Sequence, residues 1–514
     1  MSEVTIPNGW QRCLIGEVAD VIGGGTPKAG DPRNFAPPSE GLAWLTPADL
    51  SGYEGKYISH GARDLSQTGY DSSAAKLMPE GTLLFSSRAP IGYVAVASNE
   101  ICTNQGFKNF VFPEAVDSSY AYYYLKSIRQ LAESMGTGTT FREISGAKAK
   151  QIPFLLPPLA EQQEIARQLD DLLAQVETLK TRLDGIPAIL KRFRQSTLAA
   201  AVSGKLTEEW RKENRLEKQD KSLILESRRH KWEKDQLEKL MAAGKAPKNE
   251  TWKKRYKVPP QIEEDDCFEI PKSWSWSNLG EVSWSVKDGP HFSPPYTESG
   301  IPFISGGNVR PEGIGFSDTK YISPELHAEL SKRCRPNVGD ILYTKGGTTG
   351  IAYFNTEPRD FNVWVHVAVL RLVDGVDGRF IQHALNSKHC YDLAQRYTHG
   401  VGNQDLGLTR MVKITIPLPP LNEQTEIVRR VEELFAFADQ IEQRVRDAQT
   451  RVDKLTQSIL AKAFRGDLTE SWRAANPDLI TGQNSAEALL TRIKEEREML
   501  VPKKRPRNKK EKAK

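Results

Sequence analysis

Ser293, Pro294, Pro295 and Tyr296 follow one another. An aromatic ring is a residue type that can stack on a nucleobase swung from its duplex, a first step toward chemistry on that base. That chemistry also needs a glycine-rich donor site between a strand and a helix, and no segment of the 514 residues supplies one. Gly23-Gly24-Gly25-Thr26-Pro27 and Gly346-Gly347-Thr348-Thr349-Gly350 lack dinucleotide-binding spacing and read as turns. A phosphate loop of the form GxxxxGKS or GxxxxGKT is missing as well. The eight histidines are scattered, and their tightest group, His383 and His389 with Cys390, lacks metal-ligand spacing. Cys13, Cys102, Cys267, Cys334 and Cys390 lie far apart without a CxxC pair and read as reduced thiols. The expectation is a chain with no catalytic residue, no metal and no cofactor of its own.

Binding chemistry is left. Two glycine-rich segments, SMGTGTTFREISGAK at 134–148 and THGVGNQDLGLTRMVK at 398–413, allow close backbone approach to a partner. Their polar and basic side chains have the donors and acceptors that reach groove edges or phosphates. The candidates are Thr137, Thr139, Thr140, Arg142 and Lys148 in the first segment and Asn403, Gln404 and Arg410 in the second, with Arg88, Lys108 and Lys345 nearby. For any single one of them, ordinary solvated surface is the alternative.

The elements that must carry these segments are revealed by an internal repeat. LPPLAEQQEI at 156–165 returns as LPPLNEQTEI at 418–427, and the offset of 262 holds through SGKLTEEWRKEN at 203–214 against RGDLTESWRAAN at 465–476. IPNGW and GEV within 6–18 return as IPKSW and GEV within 270–282. Between these anchors similarity nearly vanishes, although GTLLFSSRAPIG at 81–92 faces GDILYTKGGTTG at 339–350. The chain is two copies whose ends repeat and whose middles diverge. The divergent regions mix strand-like runs (83–86, 93–97, 363–373) with helix-like ones (120–131, 379–385) and read as small α+β domains.

Inside the repeated block, apolar residues alternate at steps of four and three, the period of a coiled-coil seam. The first copy runs Ile165, Leu169, Leu172, Val176, Leu179, Leu183, Ile186, Leu190, Phe193 and ends on Thr197. The second runs Ile427, Val431, Leu434, Ala438, Ile441, Val445, Ala448, Val452, Leu455, Ile459. Matching seams in one chain favour pairing within the chain. Pro187, following Gly185, is expected to kink or interrupt the first helix, and no proline falls within 423–465.

Charge is uneven. Residues 503–514 hold eight basic residues and one acid, and 211–257 hold sixteen basic and eight acidic, so a net +5 overall leaves the remainder at −10. A body that acidic does not bind nucleic acid by bulk attraction, and phosphate contacts must come from local patches or from partners. The tail reads as a solvated end, and the insert at 211–268 as either a docking element or a solvated helix. With 38% hydrophobic residues and no apolar run approaching 18, the expected address is cytoplasmic, with no membrane contact.

Two variable regions, each followed by a PPLxEQxxI helix that ends in LTxxWR, resemble the specificity subunits of type I restriction-modification systems. The blocks ILKRFRQSTLAAAVSGKLTEEWR, LPPLNEQTEIVRRVEELFAFADQIE and LTQSILAKAFRGDLTESWR are similar to the enterobacterial branch. The resemblance implies an α+β chain with two pseudo-twofold-related target-recognition domains separated by a long antiparallel two-helix coiled coil. The segments would be recognition domain 1 at 1–158, helix 1 at 159–203, a charged linker at 204–268, recognition domain 2 at 269–420, helix 2 at 421–465 and a C-terminal segment at 466–514. It further implies a non-catalytic subunit that reads a bipartite, asymmetric site on double-stranded DNA, its helices setting the spacer. Two methyltransferase subunits and two restriction/translocase subunits would be its partners, and S-adenosylmethionine, ATP and Mg would belong to them. Trp210 and Trp472 are candidates for partner docking, or they pack the helix ends. Ser293–Tyr296 also resembles the base-holding tetrapeptide of amino-methyltransferases, which keeps a stand-alone methyltransferase as one alternative and a coiled-coil adaptor with two ligand domains as another.

Overall fold

The structure, a computed structural model, describes residues 6–500 apart from 89, 139–141, 215 and 401–403. The basic tail at 503–514 and the candidates Thr139, Thr140 and Asn403 lie outside the described residues. The chain divides into two compact units, one formed by Met1–Asp184 with Arg446–Lys514 and the other by Gly185–Val445. These units do not follow the contiguous segments expected from the sequence. Each takes one divergent domain, the start of the long helix that follows it and the end of the other long helix.

In the first unit a ribbon of Gln11–Leu14 against Pro153–Leu156 brings the beginning and end of the domain together. Behind it lies a sheet in the order Asp20–Gly23, Lys108–Val111, Leu83–Phe85, Val94–Ala97, Tyr57–Ile58. Leu83 and Phe85 point into one core and Leu84 into another, so this short run reads as continuously apolar because both faces of the sheet are covered. Asp117 accepts the amide of Tyr120 at 2.8 Å and starts the helix Ser118–Ser127, which lays Tyr120 and Tyr124 against Phe464 of the second long helix. Burial of each such ring stabilises the unit by about 2 kcal/mol.

The second unit repeats this plan. Ser275–Asn278 pairs with Thr415–Leu418, and the sheet runs Ser283–Asp288, Val367–Leu372, Ile341–Thr344, Ala352–Phe354. Ile341 and Tyr343 face one core while Leu342 faces another. Asp377 caps Gly378–Leu385 as Asp117 caps its counterpart. The run expected as one strand over 363–373 is two, because Asn362–Val363 pairs with Ile301–Ile304 in a separate sheet.

Both long helices form, over Leu159–Val202 and Leu421–Arg465. Within each unit they run antiparallel. In the first, Glu161 meets Thr469 while Asp184 meets Gln449; in the second, Glu423 meets Thr207 while Arg194 meets Asp439 and Glu442. Ile165, Leu169, Ile427, Val431 and Ala438 are fully buried, and Val176 and Val445 nearly so. Leu172, Leu183, Leu434 and Ile441 are half-buried. Leu179, expected in the seam, is 46% exposed, and Leu455 is 41% exposed. A two-helix pair without a third layer covers only the line of contact, so burial is complete where a domain also packs on the helix. Pro187 does not interrupt the first helix. A proline withholds a single amide, and a helix supported along its length by packing tolerates that loss.

The insert is not a simple linker. Its helix Lys221–Ala242 packs on Leu279–Val282 and on the edge strand Ser283–Asp288. Ile224 is buried in the core, and Arg228 donates to the carbonyls of Gly280 and Ser283. In the first unit the helix Ala486–Leu500 packs on the matching short helix Ile15–Val18, burying Leu489 and Ile493. All five cysteines are unpaired, and burial pushes the Cys13, Cys102 and Cys390 thiols up to about 12, which leaves them protonated. Among the described residues no helix is long and apolar enough to cross a membrane.

Candidate nucleic-acid interface

The glycine-rich segments form corresponding loops. In the first unit Thr137 and Glu143 exchange backbone hydrogen bonds of 3.1 and 2.9 Å, and in the second His399 and Asp405 do the same at 3.1 and 2.9 Å. Five residues lie between the paired positions in each case, 138–142 and 400–404. Arg88 and Gly346 bridge to Glu143 and Asp405, which ties each foot to the domain sheet. Lys148 donates to the Met135 carbonyl at 3.0 Å, and Arg410 donates to the carbonyls of Tyr397 and Asp405 at 2.8 and 2.7 Å. Lys148 and Arg410 stand 262 residues apart, as do Met135 and Tyr397, so the two braces are equivalent.

At each foot an acid meets a lysine, but the lysine comes from different strands. Lys108 lies 3.4 Å from Glu143, with Arg88 at 4.0 Å on the other carboxylate oxygen. Lys345 lies 2.7 Å from Asp405 and 3.6 Å from Asp288, and donates to the Val365 carbonyl at 3.2 Å. Burial alone would raise the Asp405 carboxyl, but hydrogen bonds from Lys345 and the Gly407 amide outweigh it and hold Asp405 below its ordinary range. His366 sits beneath this foot with its ring against Gly346; burial and the Lys345 ammonium lower its pKa.

The candidate residues therefore sort by position. Lys345 is 4% exposed in its side chain and closes the loop foot from inside, so the expectation of an outward contact is corrected: two carboxylates and a carbonyl occupy its ammonium. Lys108, Lys148 and Arg410 are likewise committed to holding the loop, and Arg88 shares Glu143 from a half-exposed position. Thr137, Arg142 and Gln404 are exposed at the loops themselves. Sequence reasoning missed Glu143 and Asp405. Their spacing equals the repeat offset, so extending the internal alignment into the loops exposes them.

A second constellation fixes each domain to its helices. Glu161 accepts the Trp10 indole N–H at 2.9 Å and the Thr469 hydroxyl at 2.7 Å, and pairs with Arg473. Glu423 accepts from Trp274 at 2.8 Å, Thr207 at 2.8 Å and Arg211 at 2.8 Å. The neighbouring glutamines reach the domains: Gln162 accepts the Asp117 amide and Gln424 the Asp377 amide, at 2.9 and 2.8 Å. Gly204 and Gly466 end the long helices at φ +76° and +82°, where a Cβ would sit 2.4 Å from Pro271 and 2.0 Å from Pro7. The proline and tryptophan of IPxxW, the glutamate of PPLxEQ and the glycine, threonine and arginine of GxLTxxWR thus meet in this knot. Trp210 and Trp472 are half-buried beside it. Tyr296 is 37% exposed against Phe303, with Lys320 over its ring, far in kind from a closed base pocket.

Each loop-bearing domain is thus knotted through one buried glutamate to the start of one long helix and the end of the other. The profile of the type I restriction modification DNA specificity domain matches residues 7–188 and 271–448. The chain belongs to that family, whose members are the non-catalytic specificity subunits of type I restriction enzymes. It is 35% identical over 408 residues to the EcoDI specificity subunit of Escherichia coli, covering 77% of this chain and 80% of that one. To the EcoKI specificity subunit of E. coli strain K12 it is 29% identical over 528 residues, covering 99% and 100%. The crystal structure of the HsdS subunit from Thermoanaerobacter tengcongensis shares the fold, with a TM-score of 0.52 at 18% identity over 91% of this chain and 99% of that one.

Proposed function

We propose that the chain is the sequence-reading subunit of a type I restriction-modification complex, recognising a bipartite, asymmetric DNA site with one half read by each loop-bearing domain. The observation that carries this is the pair of loops on equivalent pedestals with different tips, GTTFR at 138–142 and GVGNQ at 400–404. Matching backbone bridges close both segments, and their unlike sequences offer different donors and acceptors to base edges. Thr137, Thr139, Thr140, Arg142, Asn403 and Gln404 are the side chains assigned to this contact. The paired helices set the number of unread base pairs between the halves.

In this reading, catalysis belongs to two methyltransferase and two restriction/translocase subunits, which supply S-adenosylmethionine, ATP and Mg chemistry in the cytoplasm. The helical pair is their scaffold, with Trp210 and Trp472 at the docking ends. Mapping modified adenines across the genome of cells given this chain and its methyltransferase partner tests the proposal. A split motif with a fixed gap is expected; a continuous motif, or none, overturns it.

A further inference from the structure

The insert between the two copies carries a concentration of positive charge in a chain whose remainder is acidic. Its helix Lys221–Ala242 has a defined direction on the second domain. Lys221 pairs with Glu281 at 2.9 Å, before the edge strand begins, and Arg228 donates to the Ser283 carbonyl at the strand's first residue. Farther along, Lys239 lies close enough to Lys287 to add to the effect of burial in lowering that ammonium's pKa. The next residue, Asp288, is 3.6 Å from Lys345, which holds the loop foot at Asp405. The helix therefore advances with the strand toward the end of the domain that bears the glycine-rich loop.

The segment after the helix doubles back and is clamped to it. Trp252 stacks on Trp232 with ring centres 6.2 Å apart, Tyr256 meets the same Trp232 edge-on at 5.3 Å, and Arg228 donates to the Lys257 carbonyl at 3.0 Å. Lys253 is spent on Glu233 and Glu250. Lys245, Lys248, Lys254, Arg255 and Lys257 are exposed, and none forms an ion pair with a described residue. Five such cations on and beside the aromatic clamp form a positive surface, and a phosphate backbone complements it in charge.

We infer that the segment 245–257 is a backbone-gripping arm of the second unit, contacting DNA phosphates along the side of the domain where the helix covers Ser283–Asp288, from Lys245 past the helix end back to Lys257 beside Arg228. This rests on the DNA-recognition reading and adds a sequence-independent contact to it. The sequence of the first unit has the same order, a helix packed on the domain followed by KKRPRNKKEKAK at 503–514.

The test is the full chain with its methyltransferase partner, carrying K245A, K248A, K254A and R255A together, in a salt titration of binding to a target duplex and to an unrelated duplex. Every phosphate that a removed cation had neutralised reduces the slope of log K against log salt by about 0.9, so a slope shallower by roughly two to four is expected on both duplexes. The recognised sequence stays the same. An unchanged slope overturns the inference, and so does weakened assembly with the methyltransferase at unchanged slope, which would assign the arm to a protein partner. If the unaltered chain shows no sequence preference yet the variant still has the shallower slope, the reading of function fails and the arm stands. These side chains are solvent-exposed, and an unchanged circular dichroism melt confirms that folding is intact.

Discussion

Trp10 donates its indole N–H to Glu161 at 2.9 Å, joining the first turn of the domain to the first turn of the long helix 151 residues later. The same carboxylate receives Thr469 and Arg473 from the other copy, and it is completely buried. Removing one partner of a buried ion pair strands the rest, at a cost of about 3–5 kcal/mol. Glu161→Gln keeps an acceptor for Trp10 but loses the charge facing Arg473, so the lower end of that range is expected. Amide hydrogen exchange should quicken over 159–184 and 446–475 while the second unit stays protected.

Lys345 and Lys108 do the same task under different burial. Lys345→Met leaves Asp405 and nearly buried Asp288 without their shared cation, although Arg333 still reaches Asp288 at 2.8 Å. A loss of about 2 kcal/mol is expected, because Asp288 is 3% exposed; Asp405 and Glu143 are exposed alike, at 42% and 41%, and Lys108→Met, which strands no buried acid, should cost under about 1 kcal/mol. Because Asp405 is depressed, its contribution is full above the ordinary aspartate range and is lost as pH falls through the folded value. Lys345→Met should flatten that acid limb in a melting series.

Two buried groups of the second unit have opposite pH dependence. Burial pushes Asp340 up to about 6, so the folded state gains stability as pH falls from about 6 toward 3.8. Burial lowers His383 to about 4, so stability is lost as pH falls from 6.5 through about 4. Over pH 4 to 6 the two oppose each other. Asp340→Asn should raise the melting temperature at pH 7, by the equivalent of up to about 2 kcal/mol, and steepen the loss between pH 6 and 4. His383→Phe should do the reverse on the acid side, provided the added ring volume fits beside Phe435.

The ruler is tested by length. Inserting one heptad after Leu179 with a compensating heptad after Ile441 lengthens the pair by about 10 Å at 1.5 Å per residue. At roughly 3.4 Å per base step the gap in the methylated motif should grow by about three base pairs. An unchanged gap would leave the helices as scaffold alone.

Tyr296→Ala removes the ring that a stand-alone methyltransferase would require. Modified-adenine yield from the assembled complex should stay the same within twofold, since the ring only covers Phe303 and Lys320 at the surface. A collapse in yield with normal assembly would revive that reading.

The long helices and the two-copy plan were legible because both are periodic. A stripe every three or four residues and an offset of 262 need no knowledge of what lies across space. The loops were found as glycine-rich segments, but their pedestals were not. Lys345 looks as free as Arg142 in a string of letters; a buried ammonium is set apart only by the carboxylates around it, and Asp288 and Asp405 lie 57 and 60 residues away.

By itself the sequence determined that this protein is two diverged domains on matching helical arms, since repetition is a comparison of the chain with itself. Only the tertiary structure decided which arm completes which domain. LTESWR of the second copy closes on PPLAEQ of the first, and LTEEWR of the first on PPLNEQ of the second. Seam spacing is indifferent to helix direction, so that exchange was settled by where a buried glutamate found an indole, a hydroxyl and a guanidinium to satisfy it.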